Sequence, residues 1–153
     1  MTLKKRKAWL PACLWMGIIF MMSAAPGDVS GAQSGLIVRM IFSVHHLFFG
    51  ETPLAAETLD LFHTLVRKAA HMSEYAVLAP LYLYALRRNG ARRPMRTALV
   101  LCVLYAATDE IHQAFVPDRG PSPVDVMIDT AGASVGLVLS LAVSRIRNCK
   151  PTT

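Results

Sequence analysis

The sequence predicts an all-α membrane protein. It should be a bundle of four transmembrane helices, both termini cytoplasmic, with an extracytoplasmic interfacial helix near residues 36–49. Three observations predict it. Hydrophobic residues make up 54% of the 153 positions, and mean hydropathy is +0.40, more apolar than an average soluble domain. A spanning helix needs about 20 mostly apolar residues, and stretches of that kind fall at about 8–25, 65–86, 97–115 and 124–143. Basic residues flank these stretches in short segments. The length fits one domain over residues 1–153.

The first span follows Lys4-Lys5-Arg6-Lys7 and runs from Ala8 to about Ala25, with Trp9 near the interface. Ser23-Ala24-Ala25 resembles a small-residue cleavage site, but a retained first helix is the expectation. Pro26-Gly27-Asp28 and Gly31 punctuate its end. Residues 36–49 are apolar but short for a span. They also carry Arg39, His45 and His46, so a helix lying on the bilayer fits them better. His63 is expected in a loop. The second span is polar in its first half (Arg67, Lys68, His71, Ser73, Glu74) and apolar in its second. The third, after the basic loop 87–96, turns polar at its end, with Asp109, Glu110, His112 and Gln113. The turn Pro117-Asp118-Arg119-Gly120-Pro121 leads to a fourth span carrying Asp125 and Asp129 in its first turns.

Charge sets the orientation. Short loops rich in Lys and Arg stay in the cytoplasm. The N-terminus, the 87–96 loop and the C-terminal tail hold 12 of the 16 Lys and Arg residues and none of the 10 Asp and Glu. All the carboxylates and all five histidines fall on the other side. A crossing at 36–49 would move the arginines of the 87–96 loop outside, which favours four spans. The net charge of +6 therefore reads as topology, and no basic stripe interleaves with aromatics as nucleic-acid binding would require. Cys13, Cys102 and Cys149 form no C-x-x-C. Two packing cysteines and one reduced cytoplasmic thiol are expected.

In this arrangement the polar halves of helices two, three and four lie at one depth. The spacings are helical: Arg67, His71 and Glu74 at i, i+4, i+7; Asp109, His112 and Gln113 at i, i+3, i+4; Asp125 and Asp129 at i, i+4. Gly132 and Gly136 continue the last stripe as a G-x-x-x-G that lets another helix approach. Glu74 lies about 10 Å along its helix from Arg67, below the headgroup level. Ionisable residues there usually face the bundle interior and mark a site.

Three readings compete. Lys68 or Arg67 with Asp109, Asp125 or Asp129 can form structural ion pairs. The whole set exceeds what pairing requires, and burying surplus charge costs stability. His71, Glu74, Asp109, His112 and Asp129 offer imidazole and carboxylate ligands to a divalent metal such as zinc, manganese or iron. Arg67 and Arg119 can grip phosphate oxygens, with His71, Glu74, Asp109 or His112 as the acid/base set. Glu110, Gln113, Asp125 and Asp129 then serve on the substrate side. A proton relay or transporter is disfavoured because the cytoplasmic halves lack ionisable residues.

The motifs resemble those of VanZ-like membrane proteins. The matching stretches are Ser23-Ala24-Ala25-Pro26-Gly27, Val66-Arg67-Lys68-Ala69-Ala70-His71-Met72-Ser73-Glu74-Tyr75, Tyr105 to Pro117 with its Asp109-Glu110-Ile111-His112-Gln113 run, Arg119, and Asp125-Val126-Met127-Ile128-Asp129-Thr130-Ala131-Gly132. Segment 28–63 matches least. The resemblance implies a bundle in the inner membrane of a bacterial envelope. The family's named member is associated with low-level teicoplanin resistance, a role not carried over to this chain. The expected function is binding or modification of a phosphate-bearing lipid or cell-wall precursor at the outer face of that membrane. The alternative is a non-enzymatic accessory protein whose charges are interhelical ion pairs. The expected partners are membrane lipids, with no nucleic acid.

Overall fold

The computed structural model describes residues 3–50 and 56–148. These form helices only: a single turn α1 (Leu3–Lys7), then α2 (Leu10–Ser23), α3 (Gly27–Phe49), α4 (Ala56–Arg88), α5 (Pro94–Gln113) and α6 (Pro123–Asn148). Cys149 lies outside the described residues.

Local chemistry explains the boundaries. Gly50, in the left-handed region at φ 77°, ends α3 while its N–H bonds the His46 carbonyl at 3.0 Å. Gly90 does the same after α4, where the N–H of Ala91 reaches back to the Leu86 carbonyl at 3.1 Å. Pro94 opens α5 and Pro123 opens α6, positions where a missing N–H costs nothing. Ser122 caps α6, its hydroxyl accepting the Asp125 N–H at 3.3 Å.

The core is one stripe shared by α4, α5 and α6, with α2 laid across it. From α4 come Tyr75, Leu78, Tyr82 and Leu86, from α5 Ala98, Cys102 and Ala106, and from α6 Ala133 and Leu137. Small residues on α5 and α6 let these helices sit close. The closest approach is α6 on α4, where a Cβ at Gly132 would collide with the Met72 carbonyl oxygen and one at Gly136 with that of Ala76. Pro80 lies inside α4 and has no N–H to give the Ala76 carbonyl four residues back. That carbonyl is left facing the glycine backbone.

Helix α2 is a packed member of the bundle. Tyr105 donates to the Met16 carbonyl at 2.7 Å, and Trp15 Nε1 donates to the Glu74 carbonyl at 2.9 Å. Helix α3 runs alongside the first half of α4, joined by Phe42 against Phe62 (ring centroids 5.0 Å) and by a 3.1 Å hydrogen bond between Ser34 Oγ and His63 Nδ1.

Two sequence expectations need correcting. The helix expected near 36–49 begins at Gly27, because Gly27 and Gly31, read as punctuation, are helical. The second long helix begins at Ala56 rather than 65, so His63 is helical and not in a loop. Contact with α3 stabilises these amphipathic turns. Among the described residues only α6, over Pro123–Arg147, is both long and apolar enough to cross a membrane. In α4 and α5 the residues that make the polar end of the bundle dilute the apolar run.

Filling the α4–α6 contact should be costly. We expect Gly136→Val to destabilise the protein by about 1–3 kcal/mol, as overpacking does. Gly17, with open space around its Cβ position, should accept Ala within about 0.5 kcal/mol. Thermal melting in detergent checks both, and equal melting temperatures for the two variants would remove the close-packing account.

Candidate functional site

The polar ends of α4, α5 and α6 converge. His71 follows Arg67 by one turn on α4, Asp109 and Glu110 stand in the last turns of α5, and Asp129 stands one turn after Asp125 on α6. They continue the stripe that packs the core: Asp129 precedes Ala133, Asp109 follows Ala106, and His71 precedes Tyr75. The geometry that buries the alanines therefore buries the acids. Asp129 is 0% exposed, Asp109 3%, Glu110 4% and His71 9%.

At the centre, His71, Glu110 and Asp129 each direct one ligand-type atom to a common point, all within 4.8 Å of one another. His71 Nδ1 lies 3.6 Å from Asp129 Oδ1, too far for a hydrogen bond. Glu110 is held by one oxygen only, Oε2, which accepts the Ser122 N–H at 2.7 Å. Its Oε1, His71 Nδ1 and both oxygens of Asp129 and of Asp109 have no hydrogen-bond partner among the described residues. Asp109 has the Ser23 hydroxyl alongside it. Buried polar atoms are rarely left so.

Above this cluster opens a cavity of about 130 Å³. Its polar lining is Arg67, His71, Glu74 and Arg119, with Ser23, Ser30 and Ser34, and its apolar lining is Met22, Ile37, Val66 and Ala70. Arg119 comes from the α5–α6 turn. That turn is set by Asp118 at φ 57° and by the Arg119 N–H bonding the Val116 carbonyl at 3.2 Å. The N–H of Gly27 bonds the Pro117 carbonyl at 3.2 Å. A side chain at Gly27 would strike the Asp118 backbone, so the glycine lets α3 close on the turn.

Arg67 and Arg119 both face this cavity, and among the described residues neither guanidinium pairs with a carboxylate. Burial and then the Arg67 charge push the Arg119 guanidinium below its ordinary pKa. Two like charges turned toward one space define an anion-attracting wall.

The other sequence candidates are distributed around this centre. Glu74 lines the cavity but is outside the triad. His112 stacks on Phe20 with ring centroids 4.3 Å apart and belongs to neither. Gln113 reaches the Ser23 hydroxyl at 3.4 Å, joining α5 to α2. Asp125 pairs with Lys68 at 2.7 Å. Glu110, read from sequence as a supporting residue, lies in the triad. Reading the adjacent acids as two faces of α5, with the S-x-x-D cap of α6 behind the second, would have separated their roles. The serines from α2 and α3 carried no sequence signal, because the approach of α3 was not legible.

A protein-family model described as VanZ/LLP1 matches residues 8–144. No curated protein and no solved structure matches the chain.

The Lys68–Asp125 pair is a third exposed on the lysine side, at 32% of the side chain, and should contribute on the order of 1 kcal/mol. A double-mutant cycle with Lys68→Met and Asp125→Asn, read by thermal melting, should give a coupling of that size. Zero coupling would mean that Asp125 is held by α6 alone.

Proposed function

Because the chain belongs to the VanZ/LLP1 family, a family of membrane proteins, we propose that its polar cavity is a binding site for the phosphate headgroup of a lipid or lipid-linked cell-wall precursor, at the outer face of the inner membrane. The observation that carries the reading is the pair of guanidiniums, Arg67 and Arg119, facing one cavity with no ion pair to a carboxylate among the described residues. Guanidinium recognises phosphate through paired N–H groups. The apolar lining, with Met22, Ile37 and Val66, offers a surface to a chain attached to that phosphate. Glu74, also lining the cavity, supplies a general acid or base if the bound phosphate ester is also turned over.

The proposal includes the topology. Spans at about 8–25, 65–86, 97–115 and 124–143, with both termini cytoplasmic, put every basic loop on one side and the cavity on the other. Helix α3 and the first turns of α4 then form a hairpin at the extracytoplasmic face. A purely structural role for the charges draws on Lys68–Asp125 alone among the Lys and Arg contacts of the described residues. It leaves Arg67, Arg119 and Glu74 without a task.

Two measurements test this. In the reconstituted protein, phosphatidic acid should bind at least about tenfold more tightly than diacylglycerol, and Arg67→Ala/Arg119→Ala should remove that preference. Equal binding of the two lipids would overturn the reading. For topology, Arg92→Cys should be labelled only from the cytoplasmic side and Gly120→Cys only from outside, in a background where Cys13, Cys102 and Cys149 are replaced by serine. Labelling of both from one side would remove the outer-face placement.

A further inference from the structure

We propose that His71, Glu110 and Asp129 hold a divalent metal ion. The three come from α4, α5 and α6, and their ligand atoms lie within 4.8 Å of one another, close enough that small side-chain rotations would bring all three to one ion at bond lengths of about 2.0–2.2 Å. Each is at least nine-tenths buried. His71 Nδ1, Glu110 Oε1 and both Asp129 oxygens have no hydrogen-bond partner among the described residues. A dehydrated carboxylate with no partner is far costlier than one bound to a cation. Buried charges are paired, or they coordinate metals.

The second shell is already built. Ser122 N–H holds the other Glu110 oxygen at 2.7 Å, so Oε1 is fixed toward the triad. This is the orientation that metal ligands receive from outer partners. Asp129 is placed by the glycine-mediated contact of α6 with α4. Lys68 is committed to Asp125 at 2.7 Å and does not neutralise the triad. Charge points the same way: Arg119 faces Arg67, Glu74, Asp109 and Glu110, and Asp129 stands among the same acids, two guanidiniums against four carboxylates. Fully ionised, that is two excess negative charges, which one divalent cation cancels. One imidazole and two carboxylates suit zinc, manganese or ferrous iron. His71 belongs both to the triad and to the cavity wall, so the ion would sit at the floor of the guanidinium-lined cavity. Its presence stands on the triad itself. Its role, neutralising a bound phosphate from below while Arg67 and Arg119 grip it from above, rests on the headgroup reading.

The test uses the full chain in lipid nanodiscs, stripped with chelator and titrated with Zn²⁺ or Mn²⁺. Bound metal is measured by elemental analysis and thermal melting is followed in parallel. We expect about one ion per chain and a melting temperature raised by at least one of the two metals. Asp129→Asn and the near-isosteric Glu110→Gln should each weaken binding at least about tenfold. His45→Ala/His46→Ala should bind as the parent does. Should Asp129→Asn fail to fold, Glu110→Gln carries the comparison. No stoichiometric uptake of either ion, or uptake unchanged in Glu110→Gln, overturns the metal centre. Phosphatidic acid binding without metal leaves the headgroup reading standing alone. Metal binding that survives Arg67→Ala/Arg119→Ala while the lipid preference never appears leaves the metal centre standing alone.

Discussion

Helix α6 lies directly on the backbone of α4, and the rest of the polar site depends on that contact. Gly132 and Gly136 have no room for a side chain beside the carbonyls of Met72 and Ala76. At this separation the side chains flanking the seam meet at once. Asp129, one turn before Ala133, is driven against His71, one turn before Tyr75, and both lose water. Pro80 contributes by leaving the Ala76 carbonyl without its helical donor. The carboxylate is fully buried because the glycines are where they are. Its charge becomes a constraint that some partner has to meet.

The α5–α6 turn adds the second half of the site through the same economy of contacts. Ser122 caps α6 with its hydroxyl and steadies Glu110 with its N–H. The left-handed Asp118 turns the chain so that Arg119 looks into the cavity, and Gly27 lets α3 pack on that turn. One short connection therefore fixes a helix start, a carboxylate and a guanidinium. Binding residues are often carried by loops that a rigid scaffold positions in this way.

The stripe of helices was legible in the sequence because period and charge agreed. Alanine, glycine and large apolar residues recur at helical spacing, and acids appear where the spacing continues past them. The union of His71, Asp109, Glu110 and Asp129 followed from the common depth of three polar helix ends. The roles within the set were less legible. Asp109 and Glu110 are neighbours in sequence, and which points at Asp129 depends on the rotation of α5, a tertiary quantity set by Ala98, Cys102 and Ala106. Likewise His112 sits at i+3 from Asp109 yet rests on Phe20 of α2. The start of α3 was illegible for a different reason: glycines and serines that signal a turn in isolation are drawn into a helix when its face is covered by α4.

The layering of charge bears on why such a cluster survives. A set of ion pairs that only pinned helices together would resemble Lys68–Asp125: short, complementary and partly exposed at the rim. The interior set is the opposite. Its acids crowd one another, Arg119 stands beside Arg67 as well as beside acids, and His71 Nδ1, Glu110 Oε1 and the Asp109 and Asp129 oxygens have no hydrogen-bond partner among the described residues. Replacing buried ion pairs with apolar residues of equal volume is often neutral or stabilising, so stability alone gives no reason to keep four acids and a histidine here. An arrangement that holds like charges together in a dehydrated place is strained when empty and relieved when filled. That relief is available to a cation among the acids and to an anion between the guanidiniums, and His71 stands at the boundary between the two.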